Sequence, residues 1–169
     1  LEIDDKEKAK IIESLSADLG LTVESLKGRT SGFGRDILAP FLDLPVDKMT
    51  ATCAYDFTLL TASMGEWEFA FYWAQRAIPF FSGKELETLK IWEMRCQLEL
   101  GRASEVIALA GAYGAPKFLE KEFHFLLGEA FLTLGMKEKA RQRFEAVAQV
   151  DAKYRGVEFQ LKSLKKSLS

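Results

Sequence analysis

The sequence predicts an all-α protein, a short α-solenoid of three helical hairpins with a helical extension ahead of it and a capping helix behind it. The first observation behind this is a repeat: an apolar residue followed by glycine recurs as Met64 and Gly65, Leu100 and Gly101, Leu134 and Gly135, at spacings of 36 and 34 residues. The second is the pattern around the last pair. Phe123, Leu127, Ala130, Phe131 and Leu134 recur at threes and fours before Gly135, and Ala140, Phe144, Val147 and Ala148 do so after it; these are the inner stripes of two short helices. Glycine suits the turn because the first helix of each pair must end in a left-handed residue, where a Cβ is crowded. The third observation is Val157, Leu161, Leu164 and Leu168, spaced by four, three and four, with Lys162, Lys165 and Lys166 outside the stripe. That is an amphipathic helix suited to covering the apolar end of a stack.

From the N-terminus, Asp4 or Asp5 caps a helix carrying Ala9, Ile12, Leu15 and Leu19, and Gly20 stops it. A second short helix follows Thr22 and ends at Gly28. Residues 28–34 hold three glycines and read as a loop or hinge, and the apolar run Ile37 to Val46 is interrupted by Pro40 and Pro45. Residues 1–46 are therefore expected to form a helical N-terminal extension, and 47–169 the repeat domain. Hairpins are expected over about 51–84 and 87–120, with a third around Gly135.

Composition narrows the function. In 169 residues, 48% are hydrophobic and 28% charged, the net charge is -2 and there are four prolines, values of a folded domain and not of a disordered tail. Cys53 and Cys96 stand 43 positions apart, which excludes a disulfide framework or a CxxC motif and points to a reducing compartment. With His124 the one histidine, and with no nucleophile, base and orienting group at recognisable spacing, no catalytic residue, metal ligand or cofactor is expected. His124 and Glu129 are five apart, the wrong spacing for metal ligands on one helical face. Gly32, Phe33 and Gly34 lack the lysine and hydroxyl of a phosphate loop. No apolar run reaches the roughly 18 residues of a membrane span and Leu1 to Lys10 is charged, so a cytoplasmic chain without membrane insertion is expected. The start at Leu1, not methionine, is expected to mark a processed chain or a fragment of a longer one.

Leu127, Gly128, Phe131, Gly135, Ala140, Phe144 and Asp151 stand at the offsets of a known signature. The third unit resembles a tetratricopeptide (TPR) repeat. In that pattern Gly128 and Ala140 let paired helices approach, while Phe131 and Phe144 fill the space between them; Ala152 stands where the family has proline. The first unit keeps Phe57, Gly65, Trp67, Ala70 and Ala77 but has Thr58 and Thr61 at the small and aromatic positions, and the middle unit keeps little beyond Leu100 and Gly101.

The resemblance implies a protein or peptide partner held in a concave groove lined by the first helix of each repeat. Mapped here, that groove comprises Tyr55, Leu59, Ile91, Trp92, Arg95, Leu98, Phe125, Leu126, Glu129 and Leu132, with Ala62 and Glu122 beside them. Tyr55, Leu59, Glu122 and Leu126 do not supply the Lys, Asn and Arg clamp with which family members grip chaperone C-termini. A mostly apolar groove fits a partner helix or an extended apolar segment, and Ile37 to Val46 of the chain itself is one candidate occupant. The implied function is a scaffold, adaptor or substrate chaperone.

Seven aromatics fall within Trp67 to Phe81. Trp67, Phe71 and Ala74 are expected on one side with Ala70 and Ala77, leaving Phe69, Tyr72 and Trp73 partly elsewhere. These three are either covered by the N-terminal region or form a self-association surface of a homodimer. A rival reading is a regulatory fragment whose N-terminal helices contact DNA or another domain, since Ala17 to Arg29 resembles the turn of some helix-turn-helix proteins. Seven Lys or Arg against ten Asp or Glu in residues 1–50 argue against duplex binding.

Overall fold

The structure, a computed structural model, describes residues 3–19, 45–47 and 50–168. The described residues are helical with no strand among them, as the sequence predicts. Helices α1 (Asp5–Leu19), α2 (Ala51–Ser63), α3 (Trp67–Ala77), α4 (Gly83–Glu99), α5 (Ala103–Tyr113), α6 (Glu120–Thr133), α7 (Lys137–Val150) and α8 (Val157–Leu168) follow in order. Single 3-10 turns lie at Ile78–Phe80 and Tyr154–Gly156. The expected short helix after Thr22, the 28–34 hinge, the Ala17 to Arg29 turn beyond Leu19 and the Ile37 to Leu44 strip lie outside the described residues.

All three hairpins turn in the same way. Gly65, Gly101 and Gly135 adopt φ of 77°, 75° and 72°, and each turn closes with the same two backbone bonds. Glu66 N–H donates to Thr61, Arg102 to Gln97 and Met136 to Phe131, while each glycine N–H donates to the carbonyl three residues back. This double bond pattern satisfies carbonyls that a helix end would otherwise leave open, and it demands a left-handed residue between them. The recurring apolar-glycine pair is the sequence trace of that geometry.

The chain divides into two compact units, Leu1–Cys96 and Gln97–Ser169. In the first, α1 packs on α2 and α2 on α3. Asp4 Oδ1 accepts the Glu7 N–H at 2.7 Å, which makes Asp4 the cap of α1. The inner face of α1 is Ile11, Ile12 and Leu15, all buried, while Ala9 is exposed. The helix is rotated from the expected stripe because two isoleucines bury more apolar area than one isoleucine and an alanine. Ahead of α2, Asp47 and Thr50 exchange hydrogen bonds, Asp47 N–H to Thr50 Oγ1 at 2.9 Å and Thr50 N–H to Asp47 Oδ1 at 3.0 Å, a reciprocal cap.

Helix α2 is buried on most sides, with Ala54, Phe57, Leu59 and Leu60 in the core. Thr58 and Thr61, which depart from the repeat pattern, are wholly buried. Their hydroxyls donate to the Ala54 and Phe57 carbonyls at 2.9 and 2.6 Å. That contact satisfies each hydroxyl within the helix, so a polar residue is tolerated inside.

The aromatic helix α3 corrects the sequence expectation. Its inner stripe is Ala70, Trp73, Ala74 and Ala77, spaced by three, one and three. Trp73 is 1% exposed, stacked on Phe57 at a centroid distance of 5.0 Å, so it is a core residue and not part of a self-association surface. Three alanines around it leave room for one large ring, and the indole fills it. Phe69 and Tyr72 are half-buried and pack against the same core, as do Trp67 and Phe71. Leu89, Trp92 and Cys96 of α4 complete it.

In the second unit α5 packs on α6, α6 on α7 and α7 on α8. Within each unit, packing thus runs between chain neighbours, the arrangement of an α-solenoid. Ala140, Phe144 and Val147 of α7 are wholly buried, and so is Val157 of α8. Gly128 lies where α6 meets α7: a Cβ placed there would lie 2.5 Å from the Phe144 ring. The close approach that the third unit's glycine implies is present in this protein.

Candidate interaction surface

The first helix of the third hairpin, α6, turns an acidic and aromatic face toward the chain's own C-terminal segment. Glu122, Phe125 and Glu129 recur at three and four residues and so share one side of the helix. Glu122 is 2% exposed, and burial disfavours its carboxylate unless the charge is paired. Its partners come from the turn after α7. Arg155 Nη1 stands 3.1 Å from Glu122 Oε1, and the Tyr154 hydroxyl donates to Oε2. The Arg155 guanidinium also lies 5.5 Å from the Phe125 ring centroid, and Tyr154 meets Phe125 edge-on at 5.9 Å. On its other side Phe125 is 5.8 Å from Phe144.

Asp151 builds the turn that delivers these side chains. It ends α7, its Oδ1 accepts the Lys153 N–H at 3.2 Å and its carbonyl accepts the Tyr154 N–H at 3.1 Å. Its other carboxylate oxygen pairs with Lys121 Nζ at 3.2 Å, and that ammonium lies 5.0 Å over the Tyr154 ring. Arg155 itself has φ 44°, the only non-glycine positive φ among the described residues, and Gly156 follows at 72°. One turn further along the face, Gln160 Nε2 donates to Glu129 Oε1 at 3.4 Å. Burial pushes the Glu129 carboxyl above its ordinary range, opposed by Arg155 and reinforced by Glu99.

The residues expected to line a groove divide into two groups. Leu59, Ile91, Trp92, Phe125 and Leu126 are buried, each at 9% exposure or less. A partner cannot reach them without opening the fold, so they are corrected from groove surface to interior. Tyr55, Arg95, Leu98, Glu129 and Leu132 remain partly exposed. Tyr55 leans on Phe81 at 5.2 Å and Arg95 lies 5.5 Å over the Trp92 ring. Tyr154 and Arg155 had no place in the sequence-based site. A lysine, tyrosine, arginine and glycine run between two helices carries no period or motif, and only the folded turn brings it to α6.

Among the described residues no cluster of three or more His, Cys, Asp or Glu could hold a metal ion. The Cys53 thiol is pushed up to about 11 by burial and the neighbouring Asp18 carboxylate, 3.6 Å from its sulfur, which keeps it protonated at neutral pH. His124 sits between Arg143, 3.3 Å from Nδ1, and Glu120, 3.8 Å from Nε2. Burial and then Arg143 lower its pKa below 6.5, with Glu120 opposing. The native state thus binds its proton less readily than the unfolded chain, and stability attached to His124 falls as the pH drops through 6.5. Since there is one histidine, urea midpoints measured between about pH 7.5 and 5.5 should depend less steeply on pH in His124→Gln than in the parent; identical slopes would count against this.

The fold and this surface define a class, an all-α protein of helical hairpins in which the turn after α7 packs against the first helix of the third hairpin. No helix among the described residues is long and apolar enough to cross a membrane. No protein-family model, curated protein or solved structure matches the chain.

Proposed function

We propose that this chain is a non-catalytic protein-interaction module of tetratricopeptide type, a scaffold, adaptor or substrate chaperone that binds a partner helix or extended segment along the first helices of its hairpins. The observation that carries this reading is α6, one face of which holds the short turn after α7 through an ion pair and a cation–π contact, while Glu129 and Leu132 stay partly exposed on the same helix. Three hairpins closed by the same glycine turn support the likeness to that family. Two unbridged cysteines, Cys53 and Cys96, fit a cytoplasmic setting.

The partly exposed residues of the first helices are the ones a partner meets. Affinity capture with the parent, Arg95→Glu and Leu132→Glu tests the reading: a protein retained by the parent should be lost about tenfold in at least one variant, with thermal melts unchanged. Equal retention by all three chains, or nothing specific retained by any, would overturn it.

A further inference from the structure

We propose that the end of the second unit where α6 begins, α7 ends and α8 begins docks on a bilayer surface carrying anionic lipids, with Phe118, Val150 and Phe159 as the side chains that enter it. This goes beyond the interaction-module reading, because none of the three lies on a first helix. Local contacts bring them to one end. The Lys121 and Asp151 ion pair, at 3.2 Å, holds the first turn of α6 against the end of α7, and Tyr154 donates to Glu122 just before α8 starts. Phe118 stands three residues ahead of Lys121, Val150 one ahead of Asp151, and Phe159 in the first turn of α8. They are 55%, 65% and 74% exposed, the three highest values for large apolar side chains among the described residues. On α8, Val157, Leu161 and Leu164 form the inner stripe, which puts Phe159 on the opposite side. Helical side chains lean toward the N-terminus, so its ring leans toward this end. A capping helix needs a polar outer side, and Phe159 departs from it.

The surrounding charge selects the partner. Lys117, Lys153 and Lys162 are exposed beside the apolar side chains, Lys117 with its ammonium 5.6 Å from the Phe118 ring centroid and Lys162 one helical turn from Phe159. Glu120 and Glu158 are also exposed here, while Asp151 is held by Lys121. Residues 97–169 carry 12 Lys or Arg against nine Asp or Glu, and residues 1–96 carry 11 against 16. The basic charge of an acidic chain is thus gathered in the unit that bears this end. Separate apolar protrusions among lysines suit a fluid interface, which receives each side chain where it stands; a folded partner would need one continuous apolar surface. A second copy matches poorly, since Phe80 is the one large apolar side chain so exposed among the described residues of the acidic unit. Docking is peripheral: side chains enter the headgroup layer and no described helix is long and apolar enough to cross it.

Sedimentation of the full chain with liposomes tests this. The parent should pellet with vesicles of phosphatidylcholine and phosphatidylserine and, at equal lipid, about fivefold or more less with phosphatidylcholine alone. Phe159→Ala should lower the partition coefficient on the anionic vesicles about tenfold, and Lys162→Gln about fivefold. Met136→Ala removes an exposed side chain from the opposite end of α7 and should bind as the parent does. Thermal melts of the variants should match the parent. No pelleting with anionic vesicles at about 1 mM lipid, equal pelleting with both compositions, unchanged partition in Phe159→Ala, or an equal loss in Met136→Ala would each overturn the proposal. So would a lipid-free oligomer, seen by light scattering, that dissociates in Phe159→Ala, because this end would then belong to a second copy. Partner loss in Arg95→Glu or Leu132→Glu is read without lipid, so the module reading stands or falls separately.

Discussion

Trp73→Ala should lower the stability of the Leu1–Cys96 unit by about 3–5 kcal/mol, the range for removing a buried large aromatic. The indole is 1% exposed, stacks on Phe57 at 5.0 Å and meets Tyr72 edge-on at 5.3 Å. Its neighbours on the stripe are alanines, which cannot swing in to fill the space, so the cavity term is expected at full weight. Against a total of about 5–15 kcal/mol for a domain, this loss leaves the unit close to unfolding at physiological temperature. Trp73→Phe should cost less than its volume change implies, because the indole Nε1 is buried without a hydrogen-bond partner and leaves with the ring. Phe159→Ala, at a position 74% exposed, is the control and should stay within about 0.5 kcal/mol of the parent. Urea titrations read all three. Light scattering in parallel separates the core role from self-association, since an oligomer that dissociates in Trp73→Ala with the melt unchanged would reverse the assignment.

Two glycine-to-alanine changes should have opposite signs. At Gly128 the new methyl would sit 2.5 Å from the Phe144 ring, which is wholly buried and itself 5.8 Å from Phe125. The ring is wholly buried, so it can give way only by pressing on the side chains packed around it. Such overpacking costs about 1–3 kcal/mol, enough to outweigh the roughly 1 kcal/mol that alanine gains over glycine inside a helix. Gly111 lies on the exposed side of α5 with no left-handed backbone, and a methyl added there would meet nothing within 4 Å. Gly111→Ala should therefore raise stability by about 0.5–1 kcal/mol. Thermal melts of both variants check the pair, and a stabilised Gly128→Ala would mean that α6 and α7 are less tightly packed than the geometry requires.

Much of the helix plan was legible in the residues, and the reason is local. A helix that ends in a left-handed residue is closed by backbone bonds spanning six positions, and glycine tolerates that conformation without strain. Met64 and Gly65, Leu100 and Gly101, Leu134 and Gly135 thus mark turns whatever surrounds them. Gly128 was legible for a related reason, since a missing side chain between two apolar stripes leaves room for a large ring such as Phe144. The direction of α3 was less so. Seven aromatics in Trp67 to Phe81 permit several stripes of similar hydrophobicity, and the alanines, which bury little area themselves, decide where the neighbouring helix fits.

The candidate site was legible only in outline. A first-helix face carrying Phe125 and Glu129 could be named from the repeat offsets, but exposure could not, because it depends on what packs from elsewhere. Leu59, Ile91, Trp92 and Leu126 are drawn into the interior by such packing. Periodicity and turn chemistry act over a few residues, so the order of residues is enough to specify an all-α chain, its three glycine-closed hairpins and its capping helix. The place of Trp73 in the core, and of Tyr154 and Arg155 against Glu122 and Phe125, emerges only when the helices pack. A buried charge must find its partner in space, and the residue that supplies it, 33 positions away in the chain, leaves no periodic trace.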